Sequence, residues 1–490
     1  MARIKSVIVI GAGFAGISAA SHLAKAGHKV TVLEMNSTPG GRARKFSANG
    51  FSFDMGPSWY WMPDIFEKYF NTFGLKVSDM YELQRLDPSY KIYFGKNKEV
   101  ALPANLQGLY DLYEKLEDGS SKYLKKFLEE ARAKYEIGIG KMVYKPSHSV
   151  LEFFNWDIVK AGFKLNIFST FNQYTKKYFK NPVIHRLLEF PVIFLGGTAK
   201  NTPALYSLMN YSDMVQGTWY PKGGMFKVIE AMVKVAKDLN VDFVYNAEVT
   251  KINISSGKVQ SVEAAGKKYE ADFLIATGDY HHIEQDLLPV EYRKYTKLYW
   301  HKRVMSPSSL IFYMGFNTRV PELDHHTLLF DEDFAPHERS IYEEPSWPMN
   351  PSIYISCTSR TDPSVAPEGH ENIMVLIPVA TGLTDTEEIR TKYLEHVLMR
   401  LERYTGRKLT DNLVYLRTYA HNDFAKDYHA FKGNAYGLAN TLLQTAFLKP
   451  SMRNPKVSNM LYAGQLTVPG PGVPPALISG ELAAKEVINN

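Results

Sequence analysis

The first residues able to do chemistry are three glycines in the order Gly11-x-Gly13-x-x-Gly16, directly after an apolar run at 7–10. That spacing allows a tight turn, close approach of backbone to a pyrophosphate, and close packing of a helix on a strand. The helical pattern over 15–26 would add a positive dipole end and unpaired N–H groups for a phosphate. A second strand over 29–34 ends in Glu34, placed to accept from a ribose hydroxyl, and an acid there argues against a 2′-phosphate. A second glycine pair, Gly40-Gly41, follows with Arg42 and Arg44, whose guanidinium groups can offset phosphate charge. The chemistry marked here is the binding of a dinucleotide.

Motifs for other chemistry are missing. No Ser/His/Asp order, H-E-x-x-H or C-x-x-C occurs. His281-His282 and His325-His326 are tandem pairs without further ligands, expected in solvated loops, so no metal site is assigned. Asp54, Asp279 and Asp423 could accept a proton, but capping or turn roles are favoured and no catalytic base is assigned. The single cysteine, Cys357, excludes internal disulfides and fits a reducing cytoplasm.

The elements that must position the glycines are spread along the chain. Its 490 residues allow two or three domains, and 45% hydrophobic with 22% charged residues is ordinary for a globular protein. A net charge of +6 is too small at this size to imply a nucleic-acid partner. There is no apolar run of about 18 residues to span a membrane, and the first strand leaves no room for a signal peptide. In the middle, a helix is predicted over 225–239, with Val228, Met232, Val235 and Leu239 on one face. A strand over 241–245, a hairpin of 249–254 with 259–264, and a buried strand over 273–276 follow. Val249 and Gly278, at the edges of these elements, are candidate cofactor contacts. At the end come a strand over 460–463, Gly464, and a helix opening after Gly472-Val473, with Pro474 or Pro475 in its first turn.

Strands returning to one sheet from such distances predict an α/β (mixed α+β) fold with a split Rossmann-like domain of segments 1–75, 218–285 and 440–490. Segments 76–217 and 286–439 are then an inserted substrate domain with a mixed sheet and helices. NAD needs one helix N-terminus, near its pyrophosphate. A second suits FAD, whose reduced ring carries negative charge near N1 and C2=O.

The stretch "EMNSTPGGRAR" resembles the glycine-doublet signature of FAD-dependent oxidoreductases such as amine oxidases, protoporphyrinogen oxidases and carotenoid desaturases. The resemblance implies that Glu34 takes the adenosine ribose and that Gly40, Gly41 and Arg42 pass beside the pyrophosphate and ribityl chain. "FDMGPSWYWMP", with Gly56 and Pro57, "YPKGGM", "ADFLIATGD" and the final eighty residues resemble bacterial-type phytoene desaturases. The chain departs from that family at Val468, where a His is frequent, and at Pro471, where a small residue is. The family implies non-covalent FAD, hydride transfer from a carotenoid to the flavin, and quinone or oxygen as final electron acceptor. Such a reaction needs positioning and a dry tunnel more than a strong acid or base. Alternatives are a hydroxycarotenoid 3,4-desaturase, a carotenoid isomerase, an amine oxidase, and a carotenoid-binding protein that keeps FAD as a structural element.

A carotenoid must come from a bilayer, and 151–220 is richer in Phe, Tyr and Trp than the chain's 13%. Lys160, Lys164, Lys176, Lys177, Lys180 and Arg186 fall in an acid-free stretch. Val159, Phe163, Ile167, Phe171, Tyr174 and Tyr178 follow helical spacing through it. Basic plus aromatic composition suits a helix lying on anionic lipid at the inner face of the cell membrane. Lys160 and Lys177 fall inside the apolar arc, which suits a core helix instead.

Overall fold

The computed structural model describes residues 3–95, 98–146 and 169–490. Its first unit runs β1 (Ser6–Ile10), α1 (Phe14–Lys25), β2 (Lys29–Leu33). Far later come α2 (Phe226–Asp238), β3 (Asp242–Val244), β4 (Phe273–Ala276), β5 (Met460–Tyr462) and α3 (Val473–Ile488). The five strands form one parallel sheet in the order β3-β2-β1-β4-β5. This order reverses beside β1, and ligands of open α/β sheets bind at that switch point, beyond the carboxyl ends of the strands.

β1 shows why a continuous apolar run was needed. Side chains alternate faces along a strand. Val7 and Val9 join the cluster that contains Ile17, Val228 and Ile478 of the three helices. Ile8 and Ile10 join a second cluster with Ile252, Val259 and Val262. Those last three belong to an antiparallel sheet of Val249–Ser255, Lys258–Ala264 and Lys267–Glu270 that covers the opposite face. All four apolar residues of β1 are therefore buried.

A seven-stranded, mostly antiparallel sheet is built from Tyr90–Tyr93, Glu99–Leu102 and five strands between Ser308 and Tyr419. The fold is mixed α/β, as expected. Every strand of the parallel sheet lies in segments 1–75, 218–285 or 440–490, and every strand of the seven-stranded sheet in 76–217 or 286–439.

The stretch expected as one amphipathic helix divides differently. Phe171–Tyr178 starts at a capping box of Thr170 with Gln173 and stops at Phe179, and Pro182–Glu189 starts a new helix. Phe171, Tyr174 and Tyr178 are buried in the protein while Lys176, Lys177 and Lys180 are exposed, so this part is a core helix with a basic outer face. Val159, Lys160, Phe163, Lys164 and Ile167 lie outside the described residues. Among the described residues no helix is long and apolar enough to cross a membrane.

Candidate functional site

A cavity of about 520 Å³ opens at the switch point. Gly11 and Gly13 border it at the end of β1, Gly278 at the end of β4, and Gly464 just past β5. Gly16 stands behind this wall. A Cβ there would overlap the Gly11 carbonyl oxygen, so its lack of a side chain lets α1 close onto the β1 turn. At Gly13 an added Cβ would have only Gly41 Cα within 4 Å, at 3.9 Å, leaving a longer side chain to point into the cavity.

Gly13 caps α1 without a side-chain hydrogen bond. The N–H groups of Phe14, Ala15 and Gly16 precede the first intrahelical bond, from Ile17 N–H to Gly13 O, and are left for a ligand. The glycine doublet packs on this turn: Gly40 N–H donates to Ala12 O at 2.7 Å. Gly40 and Gly41 have φ of 113° and 52°, the left-handed region that glycine occupies at little cost.

Glu34 is buried at the cavity wall. Its carboxylate accepts from Ala12 N–H at 2.7 Å and from the N–H and side-chain amide of Asn36, both at 2.9 Å. These bonds fix its orientation, and a carboxylate retains acceptor capacity for a ribose hydroxyl. The two arginines separate into different roles. Arg44 donates to Asp427 at 2.6 Å and Asn36 at 2.8 Å, clamping the doublet to the chain near 427. Arg42 is at the cavity wall, 5.2 Å over the Tyr428 ring, and among the described residues has only a 3.4 Å bond to Asn434 O, with Nε unpartnered. Burial lowers its pKa, and nearby Asp279 opposes that shift. Arg42, the one of the two that lines the cavity, is thus the guanidinium placed to offer donors to a phosphate.

At the other end, α3 begins at Gly472 and carries Val473, Pro474 and Pro475, all bordering the cavity. A Cβ on Gly480 would overlap Ala15 O, so α3 crosses α1 at its first turn. Val473 lies seven residues before that crossing, roughly 10 Å along the helix. Two N-termini therefore face one cavity, offset along it. Neither proline has an N–H, so Val473 is the only residue of the first three in α3 with a backbone donor.

Gly56, Pro57 and Val249 also border the cavity. It continues into an apolar branch walled by Trp61, Met62, Ile65, Phe66, Ile139 and Met209. The described carboxylates on the cavity, Glu34, Glu248, Asp279 and Asp427, are all at the dinucleotide end, and none borders that branch. The three candidate aspartates serve as caps. Asp54 accepts from Met225 and Phe226 N–H at the start of α2, and burial raises its pKa to about 6. Asp279 caps His282 and accepts from Phe431 N–H and Asn434, and Asp423 accepts from Ala420 N–H and Arg390.

One expectation is overturned. His325 and His326 are buried, not in a solvated loop. Strand pairing of His326 with Ser356 draws it into the seven-stranded sheet, its ring stacks on Trp59 at 4.1 Å, and Tyr354 OH meets its Nδ1 at 2.8 Å. Burial lowers the pKa of His325 to about 3 and that of His326 as well, leaving both neutral. His281 and His282 sit in a helical turn, stacked on Phe431 and His429. No cluster of metal-ligating side chains occurs among the described residues.

The family described as flavin containing amine oxidoreductase matches residues 14–488. The chain belongs to that family. It is 38% identical over 487 residues to a carotenoid 3,4-desaturase of Haloarcula japonica, covering 99% of this chain and 98% of that protein. A phytoene desaturase of Phycomyces blakesleeanus is 32% identical, covering 100% of this chain and 86% of that one. These relatives place it among the carotenoid desaturases of the family. The fold is shared with an oxidoreductase from Methanosarcina mazei, at 16% identity and a TM-score of 0.63, covering 99% of this chain and 100% of that one. The family is flavin-containing and the cofactor is FAD, which the free α1 N–H groups, the Arg42 donors and the glycine-walled cradle fit.

Sequence reasoning missed Asn36, Asp427, Tyr428, Asn434 and Gln465. Asn36 lies within the glycine-doublet stretch and the other four within the final eighty residues, but no spacing rule singles them out. Gln465 donates to Asn434 Oδ1 at 2.9 Å, and Asn434 joins Asp279 to the Arg42 contact.

Proposed function

We propose that this protein is an FAD-dependent carotenoid desaturase, acting on phytoene or a related acyclic carotenoid. The observation that carries the reading is one cavity joining a dinucleotide cradle to an apolar branch free of described carboxylates. A polyene needs no polar partner, whereas an amine left unpaired in such a branch would cost roughly 2–7 kcal/mol.

In this reading segments 1–75, 218–285 and 440–490 hold FAD without a covalent bond, and 76–217 with 286–439 shape the substrate space. Glu34 takes the adenosine ribose. Gly11, Gly13 and Gly16 let the α1 N-terminus approach the pyrophosphate, and Arg42 neutralises it beside Gly40 and Gly41. Gly56, Pro57, Val249 and Gly278 shape the wall. Gly464, Gly472, Val473 and Pro474 receive the flavin end. Bound there, FAD supplies a two-electron acceptor for a hydride. The residues around Ile65 and Phe66 align a long chain and exclude water, so positioning carries much of the rate.

A hydroxycarotenoid 3,4-desaturase is the second reading, favoured by one feature. Ser58 Oγ, Tyr354 OH and His326 Nδ1 form a hydrogen-bonded chain with spacings of 2.7 and 2.8 Å, and Ser58 and Tyr354 reach the cavity. A substrate hydroxyl could join it. The carotenoid enters from a bilayer by peripheral contact, and a quinone or oxygen takes the electrons.

The test is incubation of the holoprotein with phytoene and with a hydroxylated carotene in liposomes. Flavin reduction together with a shift of absorbance to longer wavelength is expected for one of them. No change with either, with rapid flavin reduction by a small amine, would sink the reading.

A further inference from the structure

The loop before α3 hides an amine with nothing to bind. Lys449 is 4% exposed, and its Nζ has no hydrogen-bond partner among the described residues. Asn440, which borders the cavity, is 6% exposed and has its Oδ1 unpartnered. Both groups converge on Gly470: a Cβ there would lie 3.2 Å from Lys449 Nζ and 3.3 Å from Asn440 Oδ1. Gly470 stands between Pro469 and Pro471, both on the cavity wall. The amine therefore lies just behind the wall, beside the helix terminus whose prolines have removed two backbone donors. A buried cation is ordinarily paired, because isolation from water is costly.

We infer that Lys449 is a positioning residue that takes up a proton when the site gains a hydride, so that reduction leaves no net charge in the buried site. This rests on the placement of the flavin end at Gly472–Pro474. The balance is simple. A flavin that accepts a hydride from a substrate carbon gains one negative charge. The neighbouring carbon loses a proton, and one proton comes to rest on the neutral Lys449 amine to give an ammonium. The substrate loses two electrons and two hydrogens, and a carbon–carbon double bond forms.

The surroundings suit this exchange. Burial alone lowers the Lys449 pKa, to about 7, and no charged side chain contributes to the shift. Above that pH the amine is neutral in the oxidised protein. Negative charge beyond the Gly470 wall then raises its proton affinity, since an opposite charge nearby favours the charged form.

The experiment measures the midpoint potential of the FAD holoprotein from pH 7.5 to 9, without carotenoid. Each proton bound per two electrons shifts that equilibrium tenfold per pH unit, about 30 mV. The native protein should show twice that slope, one proton for the flavin and one for Lys449. Lys449→Met should show the single slope. Lys449→Arg keeps a permanent charge, and should show the single slope with a higher potential than Lys449→Met. A structural lysine would alter FAD retention or stability without altering proton number. A single slope in the native protein, or a double slope in either variant that retains FAD, would overturn the inference. The native slope decides even if a variant fails to fold. Because no carotenoid is present, failure of the substrate reading leaves this result untouched.

Discussion

The two ends of the cavity are built by different means. At the dinucleotide end the wall is mostly backbone, from the uncapped turn of α1 and the Gly40-Gly41 doublet, with the Glu34 carboxylate held by N–H groups of Ala12 and Asn36. At the other end it is side chains from distant parts of the chain, among them Trp61, Ile139, Asn440 and Tyr354. Backbone recognition depends on local conformation, so it is written in short motifs. Side-chain recognition depends on the whole fold, so no motif records it.

The sharpest break of this contrast is Gly13→Val. A valine fills the space reserved for the pyrophosphate, and loss of FAD from the purified protein is expected with little change in circular dichroism. Full retention of FAD would place the dinucleotide elsewhere.

Next come the arginines. Arg42→Met should weaken FAD binding by about 1.5–3 kcal/mol, the range for a hydrogen bond to a charged group. Arg44→Met should instead lower thermal stability, because Asp427 loses its ion-pair partner and keeps only the Tyr419 hydroxyl among the described residues. Fluorescence titration with FAD and a melting curve on each variant separate the two roles. Equal losses of FAD affinity would merge them.

Outside the substrate end, changing Lys176, Lys177 and Lys180 together to Glu should reduce cosedimentation with anionic liposomes at low salt. Each basic residue near such a surface contributes about 1 kcal/mol. Binding unchanged at every salt concentration would remove this face from the membrane contact.

The smallest effect is expected at Asp54, which ties strand Phe51–Asp54 to α2. Its folded pKa, raised to about 6 by burial, lies above the ordinary value near 3.9. The folded state then binds more protons than the unfolded one between those values, so stability falls as pH rises from about 4 to about 6. Asp54→Asn should flatten that part of the profile while changing stability at pH 7 by under about 1 kcal/mol. Denaturant midpoints across this range check it, and an unchanged slope would assign the titration to another group.

Legibility in the sequence followed the same division. The parallel strands, the helix faces and the glycine cradle could be read because period and turn chemistry are local. The roles of Arg42 and Arg44 were not separable, since Asp427 and Asn434 approach from almost four hundred residues away. His325-His326 misled because tandem histidines look polar, while strand pairing buried them. Of the helix expected over 159–178, the described part starts at the Thr170 capping box and stops at Phe179, and a new helix starts at Pro182; aromatic periodicity runs through such local stops without reporting them.

The crossing of α1 by α3 has a consequence for biosynthesis. Gly480 seats on Ala15, and the two helices share one buried cluster, although one is made first and the other last. At about 5–20 residues per second, roughly 25–90 s of translation separates them. During that interval the face of α1 bearing Ala15, Ser18 and Ala19 waits without its cover. A chain that stops short of α3 leaves this small-residue face uncovered.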